Sequence, residues 1–376
     1  MLTEKNYDQV KSLLSAKKLY VFDMDGTIYL GNNPFDFAID FIKKLRADGR
    51  KILFFTNNAS RDPKTYVEKL TKLGFAPTDD EICTSGNVTS AFLTRNRKGK
   101  KVYLIGTPAL YRQFLSDGVD LVCDENGKPD GRDADIVVSS FDTGLTYEKL
   151  VVGCDFIRYG AEFLSTHPDL NCPTENGFIP DSGAIAALIT ASTGVKPVYF
   201  GKPYRETVDM ISEITGEAKE NMIIFGDRLY TDIAVGRRHG ITACLVLTGE
   251  CTTDDVDAAE EKDKPDIMLP SLGVARDMMF GCCSVVRLHF KLAQECVHSG
   301  VGVFFIHCKG NLYLRRGYAE DEYVLSVEGL QNSRRCSHSA AHSKPRNAYF
   351  LRASVQYYLG LVVFFVQCLH RVKRSG

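Results

Sequence analysis

The first 280 residues contain no C-x-x-C pair, and their cysteines are scattered singly along the chain. Single cysteines without such pairs are typical of proteins whose thiols stay reduced. The N-terminal stretch MLTEKNYDQV is polar and lacks the apolar core of a signal peptide. We therefore expect a cytoplasmic protein with reduced thiols.

The chain also lacks a large excess of either charge, since its formal net charge at pH 7 is -1. This balance gives no reason to expect nucleic acid or an anionic membrane as a partner. No G-x-G-x-x-G sequence follows the first apolar run, which disfavours a dinucleotide-binding oxidoreductase. The chain does have 376 residues, of which 44% are hydrophobic and 25% charged, enough for two domains with their own cores.

The balanced net charge conceals two unlike segments. Residues 281–376 hold 13 Lys and Arg against 5 Asp and Glu, a charge of +8, whereas residues 1–280 carry a charge of -9. The same C-terminal segment contains six of the eight histidines and six of the twelve cysteines. A break in composition of this size indicates that residues 281–376 are unlike the segment before them.

Short apolar runs alternate with helical patterns from the N-terminus to residue 280. The runs predicted as strands are YVF at 20–22, KILFFT at 51–56, KVYLIG at 101–106, DIVVSSF at 135–141, EFLST at 162–166, PVYF at 197–200, NMIIFGD at 221–227 and TACLVL at 242–247. Apolar residues at 37, 41, 42 and 45 predict a helix over 36–48. The alternation predicts a parallel α/β sheet, which binds ligands at the carboxyl ends of its strands.

Polar residues follow several of these strands at the end where a parallel sheet binds its ligands. The candidate site residues are the acids Asp23, Asp25, Asp227 and Asp232, with Thr56, Asn57, Asn58 and Lys202 as phosphate- or substrate-binding residues. If the strands are neighbours in one sheet, all of these side chains lie at one edge. Lys202 follows the PVYF run, which we therefore expect to be a strand of the same sheet.

The carboxylates of this set indicate a hard metal ion. Asp23, Asp25 and Asp227 would repel one another at close range unless a cation lay among them, and oxygen ligands without His or Cys suit Mg²⁺. Thr56, the amides after it and Lys202 supply donors for an anion opposite the metal, as in a phosphoryl clamp. One carboxylate can attack phosphorus and a second acid can move the protons. An Asp-x-Asp-Gly sequence alone is equally typical of a turn.

The motifs DMDGT, TNN, GKP and GDRLYTD, in this order, resemble the four motifs of the haloacid dehalogenase superfamily over about residues 15–275. DMDGTIYLGN with TNNAS, and PTENGFIP before GAIAALI, resemble its NagD-type or nitrophenylphosphatase-like branch. That branch has a large C2-type α/β cap between the second and third motifs. The resemblance therefore implies a Rossmann-like catalytic core at residues 1–84 and 194–280, with an inserted α/β cap domain at residues 85–193.

The resemblance also implies a role for each matching residue. These roles are nucleophile for Asp23, acid and base for Asp25, phosphate binding for Thr56 and Lys202, metal binding for Asp227, and a supporting or water-mediated metal contact for Asp232. The metal of the family is Mg²⁺, which the backbone carbonyl of Asp25 also contacts. Asp232 is equally well placed to cap the helix that follows GDRLY.

One loop of the inserted domain is expected to select the substrate. In the branch that the chain resembles, the loop at Asn171–Gly177 faces the active site. The sequence leaves open which of its side chains points inward; the candidates are Asn171, Cys172, Thr174 and Glu175. His167, shortly before this loop, is interpreted as a structural histidine.

These observations predict a Mg²⁺-dependent phosphatase that hydrolyses small phosphomonoesters through an aspartyl-phosphate. A phosphotransferase or phosphomutase of the same superfamily stays open, because it would use the same intermediate. A non-catalytic binder of phosphorylated ligands is disfavoured by Asp23 and Asp25, since binding alone does not need the second acid. No membrane or nucleic-acid partner is expected for residues 1–280, a homodimer is left open, and the sequence does not name the substrate.

Residues 281–376 match nothing in this family pattern. Residues 281–308 show no clear helical or strand order. Cys336, His338 and His342 could ligate a metal, but their spacing fits no standard zinc site. Ala353–Leu369 is a run of about seventeen mostly apolar residues, at the short limit for a membrane span. The segment is interpreted as a poorly ordered appendage, a tail anchor, or an out-of-frame or misassembled translation.

Overall fold

A computed structural model of the chain describes residues 6–174 and 177–281, and the backbone of residues 303–308, 311–316 and 322–326. Its strands, in chain order, are β1 (Leu19–Phe22), β2 (Tyr29–Leu30), β3 (Asn33–Pro34), β4 (Lys51–Thr56), β5 (Ile82–Thr84), β6 (Lys101–Ile105), β7 (Asp120–Leu121), β8 (Ile136–Ser139), β9 (Glu162–Ser165), β10 (Asn171–Thr174), β11 (Gly177–Pro180), β12 (Val198–Tyr199), β13 (Met222–Gly226), β14 (Thr242–Val246), β15 (Ile267–Leu269), β16 (Val303–Cys308), β17 (Asn311–Arg316) and β18 (Glu322–Ser326).

The helices lie between these strands and after β15. In chain order they are α1 (Tyr7–Ser15), α2 (Asp36–Ala47), α3 (Pro63–Lys72), α4 (Ser85–Asn96), α5 (Pro108–Ser116), α6 (Tyr147–Arg158), α7 (Ser182–Thr193), α8 (Arg205–Thr215), α9 (Ala234–His239), α10 (Thr253–Ala258) and α11 (Leu272–Phe280). Short 3₁₀ helices lie at Asp79–Glu81, Lys219–Asn221 and Glu261–Asp263. A π-helical turn covers Leu229–Ile233 and leads directly into α9.

The first sheet is parallel and has the strand order β5-β4-β1-β13-β14-β15. β1 is flanked by β4 and β13, with Leu19 opposite Lys51 on one side and Met222 on the other. Every residue of β1 and of β13 is buried, as expected for strands covered by helices on both faces. The 20–22, 51–56 and 221–227 segments are thus neighbouring strands, which meets the condition for placing their polar ends at one edge.

Aromatic side chains pack the first sheet against α2. Phe22 of β1 stacks on Phe225 of β13 with a ring-centroid distance of 5.2 Å. Phe41 of α2 meets Phe22 edge to face at 6.1 Å, a geometry that aromatic pairs favour. The predicted helix over 36–48 is thus confirmed as α2, and its buried face includes the predicted residues 37, 41, 42 and 45.

The inserted residues form a second parallel sheet with the strand order β7-β6-β8-β9-β12. Helices α6 and α7 pack against it and against each other. The expectation that the PVYF run joins the first sheet is wrong, because Val198 and Tyr199 pair in parallel with Leu164 and Ser165 of β9. Lys202 therefore approaches the first sheet from a loop that follows the second sheet.

An antiparallel hairpin of β10 and β11 lies between β9 and α7 and contains most of the predicted substrate loop. Its two ends are joined at the base, where Asp181 N donates to Leu170 O at 3.0 Å and Gly183 N donates to Asp169 O at 2.8 Å. Asp181 is also the N-cap of α7, and its side chain accepts from Ser182 N. The hairpin therefore projects from a base that α7 holds in place.

A separate unit contains residues 280–376 together with residues 3–7. Within it, β16, β17 and β18 form an antiparallel sheet in that order. The expectation of no strand order over residues 281–308 is therefore wrong at β16, where the apolar run VFFIHC pairs with β17. The residues Cys336, His338 and His342 and the run Ala353–Leu369 lie outside the described residues. No helix in the described part has the length and apolar character needed to cross a membrane.

Truncation after Phe280 is expected to leave a folded protein. Both parallel sheets and all the predicted site residues lie before that position, and α11 ends at Phe280. We expect the 1–280 chain to unfold in one cooperative thermal transition, with the midpoint of the main transition of the full chain. An insoluble or non-cooperative 1–280 chain would show that residues 281–376 complete the fold. Recovery of only the full chain with membranes would support the tail anchor.

Candidate active site

Three carboxylates meet at the carboxyl edge of the first sheet. Asp23 directly follows β1, and its backbone N–H donates to Phe225 O at 2.8 Å, which holds it beside β13. Asp227 directly follows β13, and Asp232 lies on the π-helical turn that comes next. One oxygen from each carboxylate lies within 4.8 Å of the others. The structure therefore brings three of the four predicted acids into one group.

A buried lysine contacts two of these carboxylates. Lys202 Nζ lies 2.5 Å from Asp23 Oδ1 and 2.6 Å from Asp232 Oδ1, and the Lys202 side chain is 2% exposed. Burial lowers the pKa of Lys202, but the charges of Asp23 and Asp232 outweigh this effect and raise the pKa above its usual value. Lys202 is therefore a cation that bridges the strand-end acid and the acid of the π-helical turn.

Asp227 sits against two glycines that leave room for its side chain. A Cβ on Gly26 or on Gly249 would overlap the carboxylate, and Gly26 also has a φ of +84°, which favours glycine. One carboxylate oxygen, Oδ2, accepts from Glu250 N at 2.7 Å. The other, Oδ1, is buried without a hydrogen-bond partner in the part of the chain that the structure describes. Burial and the two neighbouring carboxylates raise the pKa of Asp227 to about 8.

Asp25 stands apart from this group of carboxylates. It begins a tight turn in which Gly26 N donates to Tyr29 O at 2.8 Å, and Asp25 and Tyr29 form an isolated β-bridge. Because β1 has ended and the chain turns at Gly26, the Asp25 side chain need not follow the direction of Asp23. The sequence analysis expected Asp25 to be the third carboxylate beside Asp23 and Asp227. In the structure the third carboxylate is that of Asp232.

The residues after β4 make different contacts from one another. Thr56 Oγ1 accepts from Asn58 N at 3.2 Å. The Asn57 side chain turns to the backbone of Lys202, accepting from Lys202 N at 2.8 Å and donating to Lys202 O at 3.0 Å. Asn58 Nδ2 lies 3.9 Å from Cys172 Sγ, so Cys172 is a hairpin residue that faces the loop after β4. The Asn57 side chain, predicted to bind phosphate or substrate, is engaged within the protein.

Comparison with known proteins assigns this chain to a family. One family model, for haloacid dehalogenase-like hydrolases, matches residues 20–120, and a second, for HAD-hydrolase-like proteins, matches residues 199–275. Over 249 residues the chain is 36% identical to the 5'-nucleotidase YutF of Bacillus subtilis, a match that covers 65% of this chain and 94% of that protein. The chain belongs to the haloacid dehalogenase-like hydrolase family.

Two further matches show what kind of haloacid dehalogenase-like hydrolase this is. The chain is 36% identical over 241 residues to an acid sugar phosphatase of Staphylococcus aureus, covering 64% of this chain and 90% of that protein. The structure of a 4-nitrophenylphosphatase from Thermotoga maritima aligns with a TM-score of 0.65 and 40% identity, over 70% of this chain and 98% of that one. The protein is a phosphoric monoester hydrolase of the NagD-type branch.

The carboxylates of this phosphatase fit a divalent cation. Burial raises the pKa of Asp23 to about 6, although the charge of Lys202 lowers it. Carboxylates crowded in a buried site are stabilised as anions by a cation among them. Asp227 Oδ1, a buried acceptor that no described residue satisfies, is a free ligand atom for such a cation. Since the three acids offer only oxygen, they suit Mg²⁺ better than a softer metal.

The phosphatase also contains two polar residues near this site that the sequence analysis did not place in it. Asp169, at the base of the hairpin, accepts from Asn57 Nδ2 at 3.2 and 3.3 Å. His167 is buried, and its Nε2 donates to Asp181 Oδ1 at 2.9 Å. Burial lowers the pKa of His167, but the hydrogen bond and charge of Asp181 outweigh burial and raise it. The available signal was the polar sequence THPD directly after the buried strand β9.

Proposed function

We propose that this phosphatase hydrolyses small phosphomonoesters through an aspartyl-phosphate formed on Asp23, with Mg²⁺ bound beside it. The observation that carries the proposal is the position of Asp23. It follows β1, its Oδ1 contacts the Lys202 ammonium, and two other carboxylates lie within 4.8 Å. A carboxylate held in this way is an anionic nucleophile for phosphorus. The catalytic core is assigned to residues 1–84 and 194–280 and the cap to residues 85–193, except that β12, which pairs with β9, belongs to the cap rather than to the core.

The reaction takes two displacements at phosphorus. First, an Asp23 oxygen attacks the phosphorus atom, the bond to the alcohol oxygen breaks, and Asp25 gives its proton to that oxygen. Water then attacks the same phosphorus, its proton passes to Asp25, and the bond to Asp23 breaks to release phosphate. The position of Asp25, two residues after the nucleophile and outside the group of three carboxylates, supports this separate role.

Lys202 and Thr56 would bind the phosphoryl oxygens. The Lys202 ammonium contacts the carboxylate that attacks, so its charge lies next to the group to which phosphorus is transferred. Asp232 is 1% exposed and contacts the same ammonium, which supports a role in holding the lysine in place. Thr56 and the amides after it supply neutral donors at the end of β4.

The acids Asp23 and Asp227, with the backbone carbonyl of Asp25, would hold Mg²⁺, and Asp232 would support the ion directly or through water. When bound, Mg²⁺ offsets the negative charge on the phosphoryl oxygens during transfer. The close approach of the three carboxylates and the buried Asp227 Oδ1 support this assignment.

The hairpin of β10 and β11 is proposed as the part of the cap that covers the substrate. Cys172 of this hairpin lies against Asn58, in the loop that follows Thr56. A cover this close to the edge of the first sheet favours small substrates. Nucleoside monophosphates and sugar phosphates are the first to test, since relatives of this chain are named 5'-nucleotidase and acid sugar phosphatase.

Chelation is expected to abolish turnover of p-nitrophenyl phosphate and of a panel of nucleoside monophosphates and sugar phosphates. Added Mg²⁺ is expected to restore turnover. Asp227→Ala should raise the Mg²⁺ concentration for half-maximal activity by at least about tenfold, since even indirect partners of a metal matter this much. Calorimetric titration of Mg²⁺ into the wild type and the variant measures the same loss without turnover.

The matched control for Asp227→Ala is Glu260→Ala. Glu260 is an exposed acid that pairs with Lys262, so its loss should leave the Mg²⁺ requirement unchanged. Full activity after exhaustive chelation would contradict the metal assignment. Activity on no member of the panel would contradict the proposed function itself.

A further inference from the structure

The Asn57 side chain is a two-point clamp on the backbone of Lys202. Its Oδ1 accepts from Lys202 N at 2.8 Å and its Nδ2 donates to Lys202 O at 3.0 Å. Asn57 is 6% exposed, so both bonds are protected from water. A Cβ on Gly201 would lie 2.7 Å from Asn57 Oδ1, and Gly201 has a φ of +72°, so glycine permits this approach. The clamp fixes the backbone from which the ammonium reaches Asp23.

The second N–H of the Asn57 amide donates a hydrogen bond to a carboxylate of the inserted domain. Asn57 Nδ2 lies 3.2 Å and 3.3 Å from the two carboxylate oxygens of Asp169. An amide nitrogen has two protons, and with one on Lys202 O and one on Asp169 neither is left for a phosphate oxygen. Because a carboxylate only accepts, it reinforces the amide orientation that Lys202 N and Lys202 O already require, and it anchors the Asn57 side chain to the inserted domain.

The position of Asp169 is itself fixed by the base of the hairpin. Its carbonyl accepts from Gly183 N at 2.8 Å in the first turn of α7. His167, two residues earlier, donates from Nε2 to Asp181 Oδ1 at 2.9 Å, which joins the residues before and after the hairpin. The other ring nitrogen, Nδ1, lies 3.4 Å from Ser85 Oγ at the start of α4. Asp169 is thus a fixed point of the cap.

We propose that Asn57 and Asp169 form a positioning pair through which the inserted domain orients the Lys202 ammonium. The inference rests on the proposed function, in which Lys202 binds the phosphoryl group. Both residues act through Lys202 rather than on the substrate. If Asp169 is lost, the Asn57 side chain keeps only its two bonds to the Lys202 backbone and is no longer anchored to the inserted domain, so the clamp on Lys202 loosens and the ammonium moves from Asp23. A displacement of about 1 Å at a reacting centre costs up to about 10²-fold in rate.

Variants of the pair, assayed with p-nitrophenyl phosphate at saturating Mg²⁺, test this proposal. Asn57→Asp places two carboxylates against each other and removes the donor to Lys202 O, so kcat is expected to fall by about 10²-fold. In the double variant Asn57→Asp with Asp169→Asn, the side chain at position 169 donates and the side chain at position 57 accepts, the reverse of the wild type. Its kcat should be about tenfold higher than that of Asn57→Asp alone. Asp169→Ala should lose about tenfold in kcat, whereas Asp169→Asn, which keeps an acceptor, should lose less.

Glu162→Gln is the matched control. Glu162 is the first residue of β9, whereas Asp169 lies in the segment that follows the last residue of the same strand. Glu162 pairs with Arg97, and its replacement should leave kcat and KM unchanged. Thermal unfolding of every variant, with assays run well below all midpoints, separates a loss of rate from a loss of folded protein. A residue with only a structural role would lower the midpoint without lowering kcat.

Wild-type kcat in Asn57→Asp, or a double variant no faster than Asn57→Asp, would overturn the positioning pair. Crystal structures of the wild type and Asp169→Ala give a readout without turnover, in which Lys202 Nζ should leave hydrogen-bond distance of Asp23. If the wild type hydrolyses no phosphomonoester but the lysine moves, the proposed function fails and the pair stands. If the wild type is active and the lysine stays in place, the pair alone fails.

Discussion

Asp23→Asn is expected to reduce phosphomonoester turnover by at least about 10⁴-fold while the protein stays folded. The amide has the shape of the carboxylate but lacks the anionic oxygen that attacks phosphorus. Its oxygen can still accept from Lys202 Nζ, which lies 2.5 Å from Asp23 Oδ1. Since one charge is removed from a buried group of carboxylates, the metal-free variant should melt no lower than the metal-free wild type.

The measurement is kcat for p-nitrophenyl phosphate, with thermal unfolding of the same samples. Asp40→Asn is the matched control, because Asp40 is an acid on α2 that pairs with Arg276 and belongs to no part of the proposed site. Fluoroberyllate, which mimics an aspartyl-phosphate, should inhibit the wild type only when Mg²⁺ is present. Wild-type-like turnover by Asp23→Asn, in a sample shown to be free of contaminating phosphatase, would rule out this nucleophile.

Asp25→Asn is expected to lower kcat by about 10²–10⁴-fold, the usual cost of losing a general acid and base. The loss should be larger for a sugar phosphate than for p-nitrophenyl phosphate, because nitrophenolate leaves without needing a proton. The amide can neither protonate the leaving oxygen nor deprotonate water, so both displacements slow. Asp25 lies outside the group of three carboxylates, so its replacement should leave Mg²⁺ binding nearly unchanged.

Comparison of kcat for the two substrates, with rapid acid quenching to trap phosphorylated protein, tests this role for Asp25. A phosphoryl group that is retained longer on the variant than on the wild type would show that the second displacement depends on this acid. Equal rates for wild type and variant on both substrates would mean that another residue moves the protons.

The site at the edge of the first sheet was predictable because the three strands that carry it, β1, β4 and β13, each have their own sequence signal. Asp23, Thr56 and Asp227 end or directly follow buried apolar runs, and β1, β4 and β13 form at those runs. Parallel pairing then places the carboxyl ends of neighbouring strands together. The acids could therefore be assigned to one edge from the order of strands and polar residues alone.

The features that the sequence analysis missed include short strands and contacts between residues that are distant in the sequence. PVYF has the apolar pattern of a strand, but that pattern does not specify which strand lies beside it, and β12 pairs with β9 in the second sheet. β5 and β15 have three residues each, too few to give a periodic signal. Asn57 has the surroundings of a phosphate-binding residue, and its contact with Lys202 arises only when distant loops meet.

The order of strands in the first sheet has a consequence for synthesis of the chain. β1 can pair early with β4 on one side, but its other side needs β13, where Leu19 lies opposite Met222. At about 5–20 residues per second, the ribosome needs roughly 10–40 seconds to supply that second partner. The second sheet, whose strands lie between Lys101 and Tyr199, is complete within this interval. The cap can thus fold first, while the open side of β1 is exposed to association with other nascent chains.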